Sequence, residues 1–181
     1  MRRFSCIAAA DRHNGIGKNN DLPWKLPNEY TYFQNTTKKV HTPGKRNAMI
    51  MGRRTYESIT DLLPYENRIV IVLSAKLQQR DLPMDVFVNS SLDDALERLS
   101  SDDFNDNIEN VWACGGVSLY AQALDSSLCE DLYLTRIEAS FDCDVFFPEF
   151  DVGGKFVETS VSEEHIENGI PYKYYVYSKC K

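Results

Sequence analysis

RIVIVLS, residues 68–74, is apolar at nearly every position, and a strand without a polar face has to be covered on both sides. That segment commits the chain to a sheet with helices above and below it. The rest of the sequence supplies the layers. Short β-branched runs, FSCIAAA (4–10), NAMIMG (47–52), DVFVN (85–89), VWAC (111–114) and DLYLTRI (131–137), alternate with helical patterns. Strands separated by helices indicate a largely parallel sheet. Helices are predicted at residues 27 to about 39, 53–59, 92–100 and 117–124, the first with Pro27 at its opening position and the third with Ser91 and Asp94 forming an N-cap box. Near the end, KFVETSVSEEHI and YKYYVYSK flank ENGIP, and Asn168 with Gly169 is a two-residue hairpin signal. The expected fold class is therefore α/β, a single domain over residues 1–181, with flanking helices and a C-terminal antiparallel hairpin.

At 181 residues the chain can bury one sizeable core. No apolar run reaches the roughly 18 residues of a membrane span, and MRRFSCIAAAD is too short in apolar residues for a secretory signal, so a cytoplasmic protein is expected. The five cysteines are odd in number and never two residues apart, which fits neither a disulfide framework nor a zinc cage. No metal is expected, and the matches NTT and NSS to the glycosylation pattern are read as accidental. A net charge of -7 argues against a nucleic-acid surface. An anionic ligand would need a local basic pocket, and Lys18, Lys45, Arg46, Arg53, Arg54, Arg68 and Lys76 are available. The acidic stretch SSDDFNDNIEN (100–110) reads as a solvated loop.

Generic motifs fail. GIGK at 15–18 lacks the spacer and hydroxyl of a phosphate loop and the third glycine of a dinucleotide fingerprint. GVSLY lacks the glycine of a nucleophile elbow, and His13, His41 and His165 are too scattered for a triad or a metal. What remains is a set of strand-to-helix turns. IMGRRTY passes from a strand through Gly52 into a helix starting with Arg53, Arg54 and Thr55; VWACGGVSLY repeats the device with Gly115 and Gly116; VLSAK ends a buried strand with Ser74 and Lys76. Free helix N–H groups, guanidiniums and hydroxyls suit phosphates, and open α/β sheets bind ligands along their carboxyl edge. A dinucleotide with an extra phosphate would fit.

DLPWKLPNEYTYF (21–33) sets Glu29 among rings and behind two prolines. On a helix from Pro27, Glu29 shares a face with Tyr32 and Phe33, with Leu26 one turn behind. An inward carboxyl loses hydration and its pKa rises, while the helix N-terminus pulls the other way. The alternative is a glutamate bent back to cap the helix and facing water. Spacing alone leaves both open.

GIGKNNDLPWKLPNEYTYF, MGRRTYESI, NRIVIVLS, VWACGGVSLY, LYLTRI and FFPEF, in that order across nearly the whole chain, together resemble the dihydrofolate reductase family, in its animal, single-function form. The resemblance implies a twisted eight-stranded, mostly parallel sheet. It also implies NADPH-dependent reduction of 7,8-dihydrofolate to tetrahydrofolate, with hydride delivered to C6 and a proton to N5, for one-carbon metabolism. It makes Glu29 the single active-site acid, bonded to the pterin's ring N–H and amine and too far from N5 to touch it except through water. Trp24 and Thr135 would hold ordered water and steady the carboxylate. Phe33 would pack on the pterin and benzoyl groups, with Leu22, Ile59 and Ile7 as apolar walls, Arg68 gripping the α-carboxylate of the folate glutamate, and Ala8, Tyr30, Gln34, Cys114 and Tyr120 also beside the substrate. Gly115 and Gly116 match a diglycine whose peptide bond is cis, and residues 15–22 match a mobile flap. Ala9, Ile16, Gly17, Asp21, Gly52, Arg53, Arg54, Thr55, Leu73, Ser74, Lys76, Val117, Ser118 and Leu119 would join the diglycine in lining the cofactor site. Antifolates are expected to bind, and a monomer is expected.

The sequence departs from the animal pattern at several points. Ala75 stands where a basic residue often faces the 2′-phosphate, leaving Arg53, Ser74 and Lys76 to share that task, and Ser90 replaces an arginine near the adenine. Ala113, Cys114, Leu62 and Leu63 alter the inhibitor site, and Asn20 replaces a flap glycine. A same-fold reductase of a riboflavin-pathway pyrimidine nucleotide would leave the buried acid no pterin to hold. A non-catalytic dinucleotide sensor would leave Glu29, Phe33 and Arg68 idle.

Overall fold

The apolar runs become the middle of one twisted sheet. The computed structural model describes residues 1–151 and 153–180. In chain order the strands are β1 Phe4–Ala10, β2 Gly15–Gly17, β3 Arg46–Gly52, β4 Arg68–Leu73, β5 Val86–Asn89, β6 Ile108–Ala113, β7 Cys129–Ile137, β8 Val145–Phe146, β9 Phe156–Val161, β10 His165–Glu167 and β11 Ile170–Lys179. The helices are α1 Pro27–Lys38, α2 Arg53–Glu57, α3 Leu92–Leu99, α4 Asp102–Asn105 and α5 Val117–Asp125. The main sheet runs β10-β11-β7-β1-β6-β3-β4-β5, with β9 also on β11. β9 pairs with residues 175–179 of β11 and β10 with residues 170–172, both opposite the β7 side. They occupy one edge position in tandem, so nine strands fill eight positions. Strands β7 through β5 are mutually parallel, and β11 runs against β7.

Alternation along β3 and β4 builds two cores. Ala48, Ile50, Ile69 and Ile71 face the side covered by α3 and α5, where Leu92, Leu96, Leu99, Leu119 and Leu124 are buried with them. Met49, Met51, Val70 and Val72 face the other side, with Phe33 of α1 and Tyr56 of α2. This double coverage is why RIVIVL carries no polar face. Ser91 caps α3 as its spacing predicts, its Oγ accepting the Asp94 N–H at 3.1 Å. Asn168 and Gly169, at φ 52 and 74, make the β10–β11 turn, matching the left-handed pair that a tight hairpin requires.

Three expectations are corrected. The acidic stretch 100–110 is not all loop, because Ser101 precedes the single-turn helix α4, whose Asp102 and Asp103 sit at its positive end, and β6 already begins at Ile108. The helix expected at 53–59 stops at Glu57, and a separate turn, Thr60–Leu62, follows. The strand expected at 111–114 runs from Ile108 to Ala113. A small second sheet of β2 with β8 ties the GIG segment to residues 145–146. Among the described residues all five cysteines are unpaired thiols, and no helix is long and apolar enough to cross a membrane.

Candidate active site

Glu29 lies in the first turn of α1, yet it does not cap the helix. It is 6% exposed, and Leu26 at the N-cap receives no side-chain bond. Glu29 Oε1 instead accepts the Thr135 hydroxyl of β7 at 2.8 Å, and Thr135 sits in register between Ala9 and Tyr174. Burial raises the Glu29 pKa, the Thr135 bond lowers it, and the charge of Glu167 raises it again, leaving it at about 7. The capping alternative is thereby removed. Trp24, beside Leu26 in the same buried cluster, has its indole N–H enclosed and without an acceptor among the described residues, so it remains available to donate to a bound group.

The helix that carries Glu29 is unusual in what it buries. Its fully buried residues are the polar Glu29 and Thr37, while Tyr32 and Phe33 are only half-buried. The expected inward face is thus only half apolar, and Tyr30 is the residue of this helix that lines the adjoining cleft. Tyr32 stacks on Tyr174 at 3.7 Å, and Phe33 lies 6.0 Å from Tyr30. At the far end of α1, Arg68 is 3% exposed. Its Nη1 donates to Thr37 Oγ1 at 2.8 Å, its Nε donates to the Glu66 carbonyl at 3.1 Å, and its guanidinium lies 4.5 Å from the Tyr65 ring centre. No carboxylate pairs with it among the described residues. Burial lowers its pKa, and the neighbouring Tyr65 opposes that effect. A buried guanidinium held by neutral partners is able to pair with an anion that reaches it.

Between these walls and the carboxyl ends of β1, β3, β4 and β6 opens a cleft of about 890 Å³, within the range of roughly 300–1,000 Å³ of small-molecule sites. Its lining includes Ala9, Ile16, Gly17, Asp21, Leu22, Tyr30, Gly52, Arg53, Arg54, Thr55, Ile59, Leu73, Ser74, Cys114, Gly115, Gly116, Val117, Ser118, Leu119 and Tyr120. α5 starts on Gly116 without a side-chain cap, so its first N–H groups face the cleft. The Gly115-Gly116 bond is cis, as the resemblance implies. Gly115 has φ 106, and a Cβ there would meet the Tyr120 ring at 3.2 Å, so only glycine fits. Gly52 N–H donates to the Gly115 carbonyl at 2.7 Å, fastening two of the turns together. At the third turn, Ser74 Oγ accepts the N–H groups of Lys76 and Leu77, which leaves its hydroxyl proton to donate outward. These groups fit an elongated, phosphate-bearing ligand.

Not every residue named from sequence lines this cleft. Lys76 is exposed outside it, and Ala8 packs into the core beneath α5. Gln34 Nε2 donates to the Tyr30 hydroxyl at 2.6 Å instead of facing the cleft. Glu29, Trp24, Thr135, Ile7, Phe33 and Arg68 are likewise absent from its lining. Lining residues that sequence reasoning missed are Ser58, Ser91, Gln122 and Val145. Gln122 carried a signal, because it lies one helical turn beyond Ser118 and bonds its hydroxyl at 3.2 Å. Val145 carried none, since β8 has only two residues. Asn20 adopts φ 62, a conformation asparagine tolerates, and its side-chain N–H donates to the Arg54 carbonyl at 3.1 Å, tying the flap to α2.

This arrangement has known counterparts. The family model described as dihydrofolate reductase matches residues 3–179. The chain is 40% identical to the dihydrofolate reductase of Aedes albopictus over 99% of its own length and 98% of that protein's. It is 38% identical to that of Drosophila melanogaster, covering 99% of each, and 40% identical to that of Mus musculus, covering 99% and 98%. With the family model covering residues 3–179 and relatives near 40% identity matched over almost their whole length, the conclusion is direct: the chain belongs to the dihydrofolate reductase family.

Proposed function

We propose that this chain reduces 7,8-dihydrofolate to tetrahydrofolate with NADPH, and that Glu29 is its active-site acid. The single observation that carries the reading is the buried Glu29 carboxyl on Thr135, with a pKa of about 7. At that value it can accept two hydrogen bonds from a pterin's ring N–H and amine, or hold a proton, near neutral pH. When bound, the reduced nicotinamide supplies the hydride. The chain's own groups do the rest. Thr135 fixes the rotamer of Glu29, Phe33, Ile59 and Leu22 flank a flat ring, and the Arg68 guanidinium receives the tail carboxylate in a two-pronged contact. Trp24 Nε1, buried and without an acceptor among the described residues, supports a role in holding ordered water beside the carboxylate.

NADPH is favoured over NADH by Arg53, the outward hydroxyl of Ser74 and the serines at 90 and 91, all in the lining at the far end of the cleft. Lys76 drops out of that set, and Arg53 also pairs with Glu57 at 2.5 Å, so the preference rests on fewer charges than sequence suggested. A monomeric, cytoplasmic enzyme that also takes antifolates completes the reading. The test is to mix protein, NADPH and dihydrofolate and follow the loss of reduced-nicotinamide absorbance. Oxidation dependent on dihydrofolate is expected, and oxidation indifferent to it contradicts the assignment.

A further inference from the structure

The flap, residues 15–22, is rooted on a carboxylate that the catalytic reading does not use. Asp11 follows β1, is 1% exposed and lies outside the cleft lining. Its Oδ1 accepts the backbone N–H groups of His13 at 2.8 Å and Gly15 at 2.7 Å. Its Oδ2 accepts the N–H of Phe141 at 2.9 Å and the thiol of Cys143 at 3.8 Å. One oxygen therefore holds the root of the flap, and the other holds the stretch that follows β7. Burial pushes the carboxyl's pKa up, but the N–H groups of Phe141, Gly15 and His13 outweigh it and leave the group below its ordinary value.

That same stretch meets the flap again near its tip. Lys18 pairs with Asp142, the Asn19 N–H donates to Asp144 Oδ2 at 2.9 Å, and the Asp144 N–H donates to the Gly17 carbonyl at 3.0 Å. The tip contacts are exposed, whereas the root contact through Asp11 is enclosed. Root and stretch also touch directly, since a Cβ on Gly15 would sit 2.4 Å from Cys143 Sγ and 2.6 Å from its Cβ.

We propose that Asp11 is a positioning residue for the reduction assigned above: by clamping residues 13–15 to residues 141–143, it fixes where Ile16, Gly17, Asp21 and Leu22 lie over the nicotinamide. The inference rests on the reductase reading. Asparagine at this position keeps the shape, but its amide turns one oxygen into a donor facing donors, which opens one half of the clamp. A small displacement of the flap then slows the step it positions.

The experiment compares wild type with Asp11→Asn in single-turnover hydride transfer and in separate titrations with NADPH and dihydrofolate. Hydride transfer about tenfold slower, NADPH affinity several-fold weaker, an increased isotope effect with deuterated NADPH and unchanged dihydrofolate affinity are expected. Wild-type rates, or equal loss of affinity for both ligands, overturn the inference while leaving the reductase reading intact. Should Asp11→Asn not fold, Gly15→Ala, whose Cβ would meet Cys143 Sγ at 2.4 Å and Asp11 Oδ1 at 3.0 Å and so forces the clamp apart, must give the same split. Unaltered kinetics in Gly15→Ala overturn the inference as well. A wild-type protein without dihydrofolate-dependent oxidation removes the reductase reading, and this inference with it.

Discussion

Glu29 illustrates how one side chain can be chemically poised at a cost to stability. Its pKa of about 7 in the folded chain stands above the ordinary 4.5, so the native state binds more protons than the unfolded chain between those values. The contribution of Glu29 to stability is therefore fully present below about 4.5, falls as pH rises through 7, and stays lower above it. The loss is at most roughly 3 kcal/mol. Glu29→Gln, which cannot ionise, should melt close to wild type at pH 4 and several degrees higher at pH 8, as followed by thermal denaturation; a variant less stable at pH 8 contradicts the burial argument. Arg68 poses the converse problem of a buried cation without an acid among the described residues. Arg68→Met should weaken dihydrofolate binding by at least about thirtyfold and leave a pterin lacking the glutamate tail unaffected, as titration of both ligands would show. The resemblance pointed to both residues, but the spacing around Glu29 fitted a cap as well as a buried acid, and the enclosure of Arg68 depends on Thr37, Tyr65 and Glu66 being brought together around it.

At the level of elements, legibility followed length and burial. RIVIVL was readable because a strand buried on both faces repeats apolar residues without interruption, and FSCIAAA and DLYLTRI because apolar residues dominate runs of seven. β2 and β8 were not, because three residues of GIG and two exposed residues of VF have no periodicity to read. α4 was hidden by its own acids, which had been counted as solubilising charge although they stand at the end of a helix that favours them. The sequence also named the turns that line the cleft but not Asp11, whose partners are backbone N–H groups at separations of 2, 4 and 130 residues. α3 gives a direct test of the capping argument. Ser91→Ala removes the bond to Asp94 and should cost about 1 kcal/mol, a fall of roughly 2–4 °C in melting temperature. No change would mean that the cap contributes nothing.

For the molecule as a whole, a net charge of -7 repels a polyanionic ligand unless cations are gathered locally, and the sheet gathers Arg53, Arg54, Ser74 and the start of α5 along one carboxyl edge. Binding there should stabilise the entire fold by mass action. At a hundred times Kd the gain is about 2.7 kcal/mol, so NADPH should raise the melting temperature by roughly 5–10 °C, and NADH at equal concentration clearly less. Equal shifts would show that the 2′-phosphate is not read. All of this turns on the carboxyl of Glu29 being shut away from solvent in the folded chain. The most direct measurement is its titration, from the infrared carboxyl band present in wild type and absent in Glu29→Gln, between pH 4 and 9. A midpoint near 7 is predicted, and one near 4.5, the value of a solvated glutamate, would contradict the account.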